Sequence, residues 1–95
     1  MGKTKITVYI SRQSANNQMK KQQNWIDMVL KSVTDIEVEV VDISVDPELK
    51  DKMRALMNDE TALPPQIFNG EQYCGGYDEL FNANEDGTLE EFLKL

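Results

Sequence analysis

Apolar and polar residues alternate from Ile6 through Thr7, Val8 and Tyr9 to Ile10, a period of two that predicts a half-buried or central strand. The polar stretch Ser11–Asn17 then reads as a loop. From there the period lengthens: Gln22, Ile26, Val29, Leu30 and Val33 recur at helical spacing, with Lys20, Lys21 and Lys31 off that stripe, so a helix is expected over residues 17–32. Ile36, Val38 and Val40 alternate with Glu37 and Glu39, giving a second strand whose acidic face suits a sheet edge. Asp46-Pro47-Glu48 is a helix start, and Leu49, Met53, Leu56 and Met57 continue its apolar face. After a loop over Asn58–Leu63, the segments 66–68 and 71–74 flank Asn69-Gly70, a strong hairpin signal. Gly75-Gly76 reads as the break that ends the hairpin, before a short helix over Tyr77–Ala83. Asp86-Gly87 turns the chain, and Thr88 with Glu91 reads as a capping box for a last helical turn carrying Leu89, Phe92 and Leu93.

The resulting order, βαβαββα, predicts an α/β chain. Its first two strands pair in parallel through a right-handed crossover, and the hairpin extends the sheet antiparallel. A four-stranded mixed sheet with helices on both faces is the thioredoxin-like architecture. The 95 residues fit one domain, 1–95, and 40% apolar content allows a small core.

Charge and rare residues then remove whole classes of function. Ten basic residues against seventeen acidic leave a net charge of −7, the wrong sign for tracking nucleic-acid phosphates or an anionic membrane. With no histidine, Ser-His, Cys-His and His-ligated zinc chemistry are excluded, and no metal site is expected. The single Cys74 excludes an internal disulfide and a CxxC dithiol. No apolar run approaches the ~20 residues of a membrane-spanning helix, and neither a myristoylation pattern nor a prenylation cysteine is present. The expected compartment is the reducing cytoplasm, with the nucleus also open.

Leu63-Pro64-Pro65-Gln66-Ile67-Phe68-Asn69-Gly70, followed by Tyr73-Cys74-Gly75-Gly76-Tyr77-Asp78, resembles the glutaredoxin segment from its cis-proline through its Gly-Gly-x-Asp turn. Nearly the whole chain resembles the SH3-domain-binding glutamic-acid-rich-like family, especially its short members without the acidic tail. Val8-Tyr9-Ile10-Ser11, Val41-Asp42-Ile43, Met53-Arg54-Ala55, Pro64–Phe68, Gln72-Tyr73-Cys74-Gly75 and Glu91-Phe92-Leu93 carry that likeness in order. The resemblance implies a thioredoxin-like fold that has lost its redox cysteines.

Aligned from Ser11-Arg12, the two glutaredoxin cysteines would fall near Ala15 and Gln18, neither of which is a nucleophile. Ser11 and Ser14 supply nearby hydroxyls, but no histidine exists to activate them. The resemblance places Pro65 at the cis-proline, whose preceding residue anchors the cysteine moiety of glutathione through its backbone N–H and C=O. Here that residue is Pro64, which has no N–H. The lost hydrogen bond is worth ~0.5–1.5 kcal/mol, a several-fold loss of glutathione affinity. Gly76, Tyr77 and Asp78 at a helix start would offer backbone N–H groups to a carboxylate, and Arg12 matches the basic residue that precedes the cysteines. The same residues also read as a tight turn, a first-turn charge and a solvated cation.

Cys74 reads as a small, inert strand hydrophobe, with no Lys or Arg within nine residues of it; a glutathionylated or intermolecularly bridged thiol is the alternative. Pro64, Pro65 and Phe68 fit the PPxxF motif that the resemblance associates with Homer-type EVH1 domains. The PxxP signal for SH3 domains would need a proline where Ala62 stands. Both kinds of domain read exposed polyproline helix, whereas these residues lead into a core strand. Met19, Met28, Met53 and Met57 are expected as core filler, and Glu37, Glu39, Glu90 and Glu91 as a solvated face. Trp25 is expected against the sheet or half-exposed beside the loop.

The expectation is a non-catalytic, glutaredoxin-like adaptor or regulatory module, monomeric and without a resident cofactor. It would bind protein partners through a groove lined by Ser11–Asn17, Pro64-Pro65 and Gly76–Asp78. The alternative is a redox-coupled protein that binds glutathione weakly, or is modified at Cys74, without dithiol turnover.

Overall fold

The computed structural model describes residues 3–13 and 16–95, so Ser14 and Ala15 lie outside the described residues. The elements run β1 (Thr4–Ile10), α1 (Asn17–Lys31), β2 (Ile36–Asp42), α2 (Pro47–Met57), β3 (Gln66–Asn69), β4 (Gln72–Gly76), α3 (Tyr77–Asp86) and α4 (Leu89–Phe92). Sheet order is β2-β1-β3-β4. The β1–β2 pair is parallel, with Val8 opposite Val40, and β1–β3 and β3–β4 are antiparallel.

Local chemistry sets the helix ends. Asn16 caps α1, its Oδ1 accepting the Met19 N–H at 2.8 Å. Asp46 caps α2 through the Glu48 N–H at 2.9 Å, with Pro47 in the first turn and Asn58 in left-handed conformation at the far end.

The period-two pattern of β1 feeds two cores. Ile6, Val8 and Ile10 pack with Ile26, Val29 and Leu30 of α1 and Leu80 of α3 on one face. Tyr9 turns to the other face, joining Phe68, Ile43 and Met53 of α2. Phe68 is completely buried, its ring 5.3 Å from both Tyr9 and Tyr73. β2 does lie at an edge, and Lys5 of β1 pairs with Glu39 at 2.6 Å.

Several expectations fail in instructive ways. Gly75-Gly76 does not break the hairpin: β4 runs through both, and α3 starts at the next residue. Gly75 sits at φ +152, and a Cβ there would stand 2.8 Å from both Glu79 Cβ and Phe92 Cε1. The glycine is needed for close approach, not for a turn. Ile67 faces Gly75 while Phe68 faces Tyr73, so Cys74 is the extra residue of a β-bulge. α3 extends to Asp86, stopped by left-handed Gly87. Thr88 makes no cap to α4: its backbone lies outside the extended region a cap requires, and its hydroxyl donates back to the Ala83 carbonyl at 3.5 Å. Met28 is 62% exposed rather than core, because Ile26, Val29 and Leu30 already fill the inner stripe of α1.

Candidate functional site

Antiparallel pairing brings three chain segments to one end of the sheet. β1 ends where β3 begins, with Tyr9 opposite Gln66, and β3 begins where β4 ends, with Gln66 opposite Gly76. Ser11-Arg12, Pro64-Pro65 and Gly76–Asp78 therefore gather at this end. Ser14 was expected among them and lies outside the described residues.

Each segment is held differently. Ser11 is buried, and Gln23 of α1 clamps its backbone: the Ser11 N–H donates to Gln23 Oε1 at 2.9 Å, and Gln23 Nε2 donates to the Ser11 carbonyl at 3.2 Å. The loop is then stitched to the end of β2. Arg12 N–H donates to Asp42 Oδ1 at 3.3 Å and Gln13 N–H to Ser44 Oγ at 3.4 Å, while the Arg12 side chain is exposed. Burial pushes the Asp42 carboxyl up, but the Ser44 hydroxyl, the Ser44 and Arg12 N–H groups and the Arg12 charge outweigh it and hold the carboxyl below its ordinary value.

Pro64 and Pro65 are buried, and the peptide bond between them is cis. Gly76 lies against Pro65 and Gln66: a Cβ there would stand 3.3 Å from the Pro65 carbonyl oxygen and 3.2 Å from Gln66 Oε1. Gln66 is itself fixed, donating to the Leu63 carbonyl at 2.7 Å and accepting the Tyr73 hydroxyl at 2.7 Å. Gly76 opens α3, and among the described residues no side chain caps its first-turn N–H groups. Asp78 and Glu79 stand exposed in that turn and offset the positive end of the helix.

The thiol lies elsewhere. Cys74 is half-buried in β4, packed against the core under α1 and α3, with Sγ 3.9 Å from the Gln72 carbonyl. Burial pushes its pKa up, more than the Lys94 charge and the Asn69 N–H pull it down. Lys94 thus supplies the cation that its sequence neighbourhood lacks, brought close because Asn69 Nδ2 donates to the Leu93 carbonyl at 2.8 Å. Phe68, the aromatic of PPxxF, is 0% exposed. Among the described residues no cluster of Cys, Asp and Glu could hold a metal ion, and no helix is long and apolar enough to cross a membrane.

Sequence reading missed the Gln23 clamp and the Asp42–Ser44 stitch. It also missed an aromatic cluster beside the α3 start: the Trp25 ring lies 5.3 Å from Tyr77 and 5.7 Å from Phe81. The Tyr77/Phe81 spacing of four was the one available signal for that cluster.

Comparison with known proteins agrees with the fold. The profile of the family described as SH3-binding, glutamic acid-rich protein matches residues 4–95. A Drosophila melanogaster protein, the SH3 domain-binding glutamic acid-rich protein homolog, is 38% identical over 103 residues, covering 95% of this chain and 64% of its own length. Among solved structures, the C. albicans actin interacting protein Aip5 superposes with TM-score 0.75 at 24% identity, over 95% of this chain and 88% of that one. A buckwheat glutaredoxin in complex with glutathione gives TM-score 0.62 at 14% identity, over 94% and 76% of the two chains. E. coli glutaredoxin gives 0.59 at 17%, over 86% and 95%. The fold is thioredoxin-like, of the glutaredoxin type.

Proposed function

The chain belongs to the SH3-binding, glutamic acid-rich protein family, and from that membership we propose that it is a non-catalytic protein-binding module whose contact surface is the former active-site groove. The observation that carries this reading is the separation of frame from chemistry. Buried Pro65 beside Gly76, and the uncapped start of α3, keep a glutaredoxin-like frame. The single thiol sits in β4 with its pKa raised by burial, and the residue aligned with the second cysteine is the exposed Gln18. A thiolate nucleophile at the groove is therefore lacking.

Partners of this module are proteins. The Drosophila relative is named for binding SH3 domains, and the C. albicans neighbour for interacting with actin. In this chain the Pro64–Phe68 strip is packed inward, so a partner contacts the folded rim, including Arg12, Tyr77 and Asp78, rather than a polyproline strip.

Amide-shift titration of the labelled chain with a purified SH3 domain, and separately with monomeric actin, tests the groove. Shifts at Arg12, Gln66 and Gly76–Asp78 that the double variant Arg12→Glu/Asp78→Arg abolishes are expected for at least one partner. Shifts confined to α2, or loss of exchange protection over Ile67 and Phe68 on binding, would refute the groove reading. A second reading, weak glutathione binding, is favoured by the uncapped N–H groups of α3. Titration with reduced glutathione to millimolar concentration separates the two, since shifts in the same residues would support the redox-coupled reading.

A further inference from the structure

A cleft of about 520 Å³ opens between α1 and the edge strand β2. Its two walls do not match. Val38 and Val40 of β2, with Val8 and Ile10 of β1 behind them, form an apolar wall, and Val40 is 41% exposed. Facing them, Lys20, Asn24, Asp27 and Lys31 follow one another at i, i+4, i+7 and i+11, a single polar stripe of α1. A helix packed on a sheet normally meets it with an apolar stripe. Here the apolar stripe serves the central strand, and the outer part of the interface stays open.

The charge around this cleft also runs against that of the chain. Arg12, Lys20 and Lys31 line it against one acid, Asp27, on a protein of net charge −7. Lys31 is paired to Asp27 at 2.9 Å, which cancels charge at the far end. Arg12, just past β1, and Lys20, in the first turn of α1, leave the positive charge at the end where β1 and β2 finish. Asp42 stands at that end too, its Oδ1 accepting from the Ser44 N–H and hydroxyl and from the Arg12 N–H; its charge is set against that of Arg12, so Lys20 is the cation left over at this end.

We propose that this cleft binds a small anionic amphiphile, a medium-chain carboxylate. The carboxylate pairs with Lys20, and the hydrocarbon chain lies along Val40 and Val38. From Asp42 back to Val38 the strand spans about 13 Å, the reach of an extended chain of about eight to ten carbons. The volume lies within the range of small-molecule sites, and an apolar wall with a few charged groups at one end is their usual make-up. This proposal does not rest on partner binding at the groove: Arg12 borders both, but Lys20 and Val40, which carry the test, belong to the cleft alone.

Octanoate and octylammonium, each titrated below its micelle-forming concentration, and octanol, titrated below its solubility limit, test the assignment on the labelled chain. Octanoate is expected to shift the amides of Asn24, Val38 and Val40, and to bind more tightly than octanol. Octylammonium is expected to bind least. Lys20→Glu, at an exposed position, is expected to weaken octanoate about fivefold while leaving octanol unchanged. Val40→Glu, also exposed, is expected to weaken both octanoate and octanol. Equal binding of octanol and octanoate, tighter binding of octylammonium, an unchanged octanoate affinity in Lys20→Glu, shifts elsewhere, or no shifts at millimolar octanoate would each overturn the proposal.

Discussion

Replacing Gly75 by alanine puts a methyl group where two elements already meet. Its Cβ would stand 2.8 Å from Glu79 Cβ and 2.8 Å from Phe92 Cε1, and the backbone there is at φ +152. The Phe92 ring can turn aside, but Glu79 Cβ is fixed to the first turn of α3 and can move only with the helix. A non-glycine residue in such a backbone region costs about 1–3 kcal/mol, and overpacking a filled site about 1–3 kcal/mol more. A loss of roughly 3–4 kcal/mol is expected, and with a urea m-value of about 1.5 kcal/mol/M the unfolding midpoint should fall by about 2 M. Gly70 is the internal control. It has φ +62 in the hairpin turn, and a methyl carbon added there would meet nothing within 4 Å, so Gly70→Ala carries only the left-handed penalty. That is about 1 kcal/mol, or about 0.7 M in midpoint at the same slope. Urea unfolding followed by circular dichroism, with m compared across variants, measures both. A Gly75→Ala midpoint equal to or above that of Gly70→Ala would refute the close-packing account of the Gly-Gly pair.

Further outcomes are expected at three residues. Phe68→Ala removes a fully buried ring flanked by Tyr9 and Tyr73, so it should cost about 3–5 kcal/mol in the same assay; a loss under 1 kcal/mol would contradict its core placement. Native Cys74 should react with a thiol reagent more slowly than a free thiol at pH 8, and Lys94→Ala should slow it further by removing the cation that lowers its pKa. Because this thiol's folded pKa is raised, its contribution to stability is full below the ordinary thiol value and is lost as pH rises through the folded one. Asp42 behaves oppositely: its lowered pKa gives stability above the ordinary carboxylate range that is lost as pH falls through the folded value. Ser44→Ala should raise the Asp42 carboxyl pKa, read from side-chain carbon shifts, and an unchanged titration would exclude the hydroxyl as its cause.

The first two strands were legible because apolar and polar residues alternate along them, and in β1 Ile6, Val8 and Ile10 face one core and Tyr9 the other. The Asp46-Pro47 start and the Asn69-Gly70 turn were legible for a similar reason, since their chemistry is local. What escaped depended on residues distant in sequence. Gly75-Gly76 looks like a break until Glu79 and Phe92 are seen against it. Thr88-x-x-Glu91 has the spacing of a capping box, yet the preceding helix claims the threonine through the Ala83 carbonyl. The inward face of α1 is set by Ile26, Val29 and Leu30, leaving Met28 outside although its type suits a core. At the groove, the proline pair and the glycine could be aligned by resemblance. The Gln23 clamp on Ser11 could not, because a glutamine in a helix carries no sign of the backbone it will meet.

The bulge in β4 gives Cys74 a meaning unrelated to sulfur. With Tyr73 opposite Phe68 and Gly75 opposite Ile67, Cys74 is the one residue the ladder could drop while every neighbour kept its facing. Its value lies in being counted, because an extra residue bends the strand and so re-aims the segment that delivers Gly76 beside Pro65. Any small side chain tolerating half-burial would serve as well, so descendants of this sequence are free to exchange the cysteine. They are not free to delete it without redirecting the start of α3.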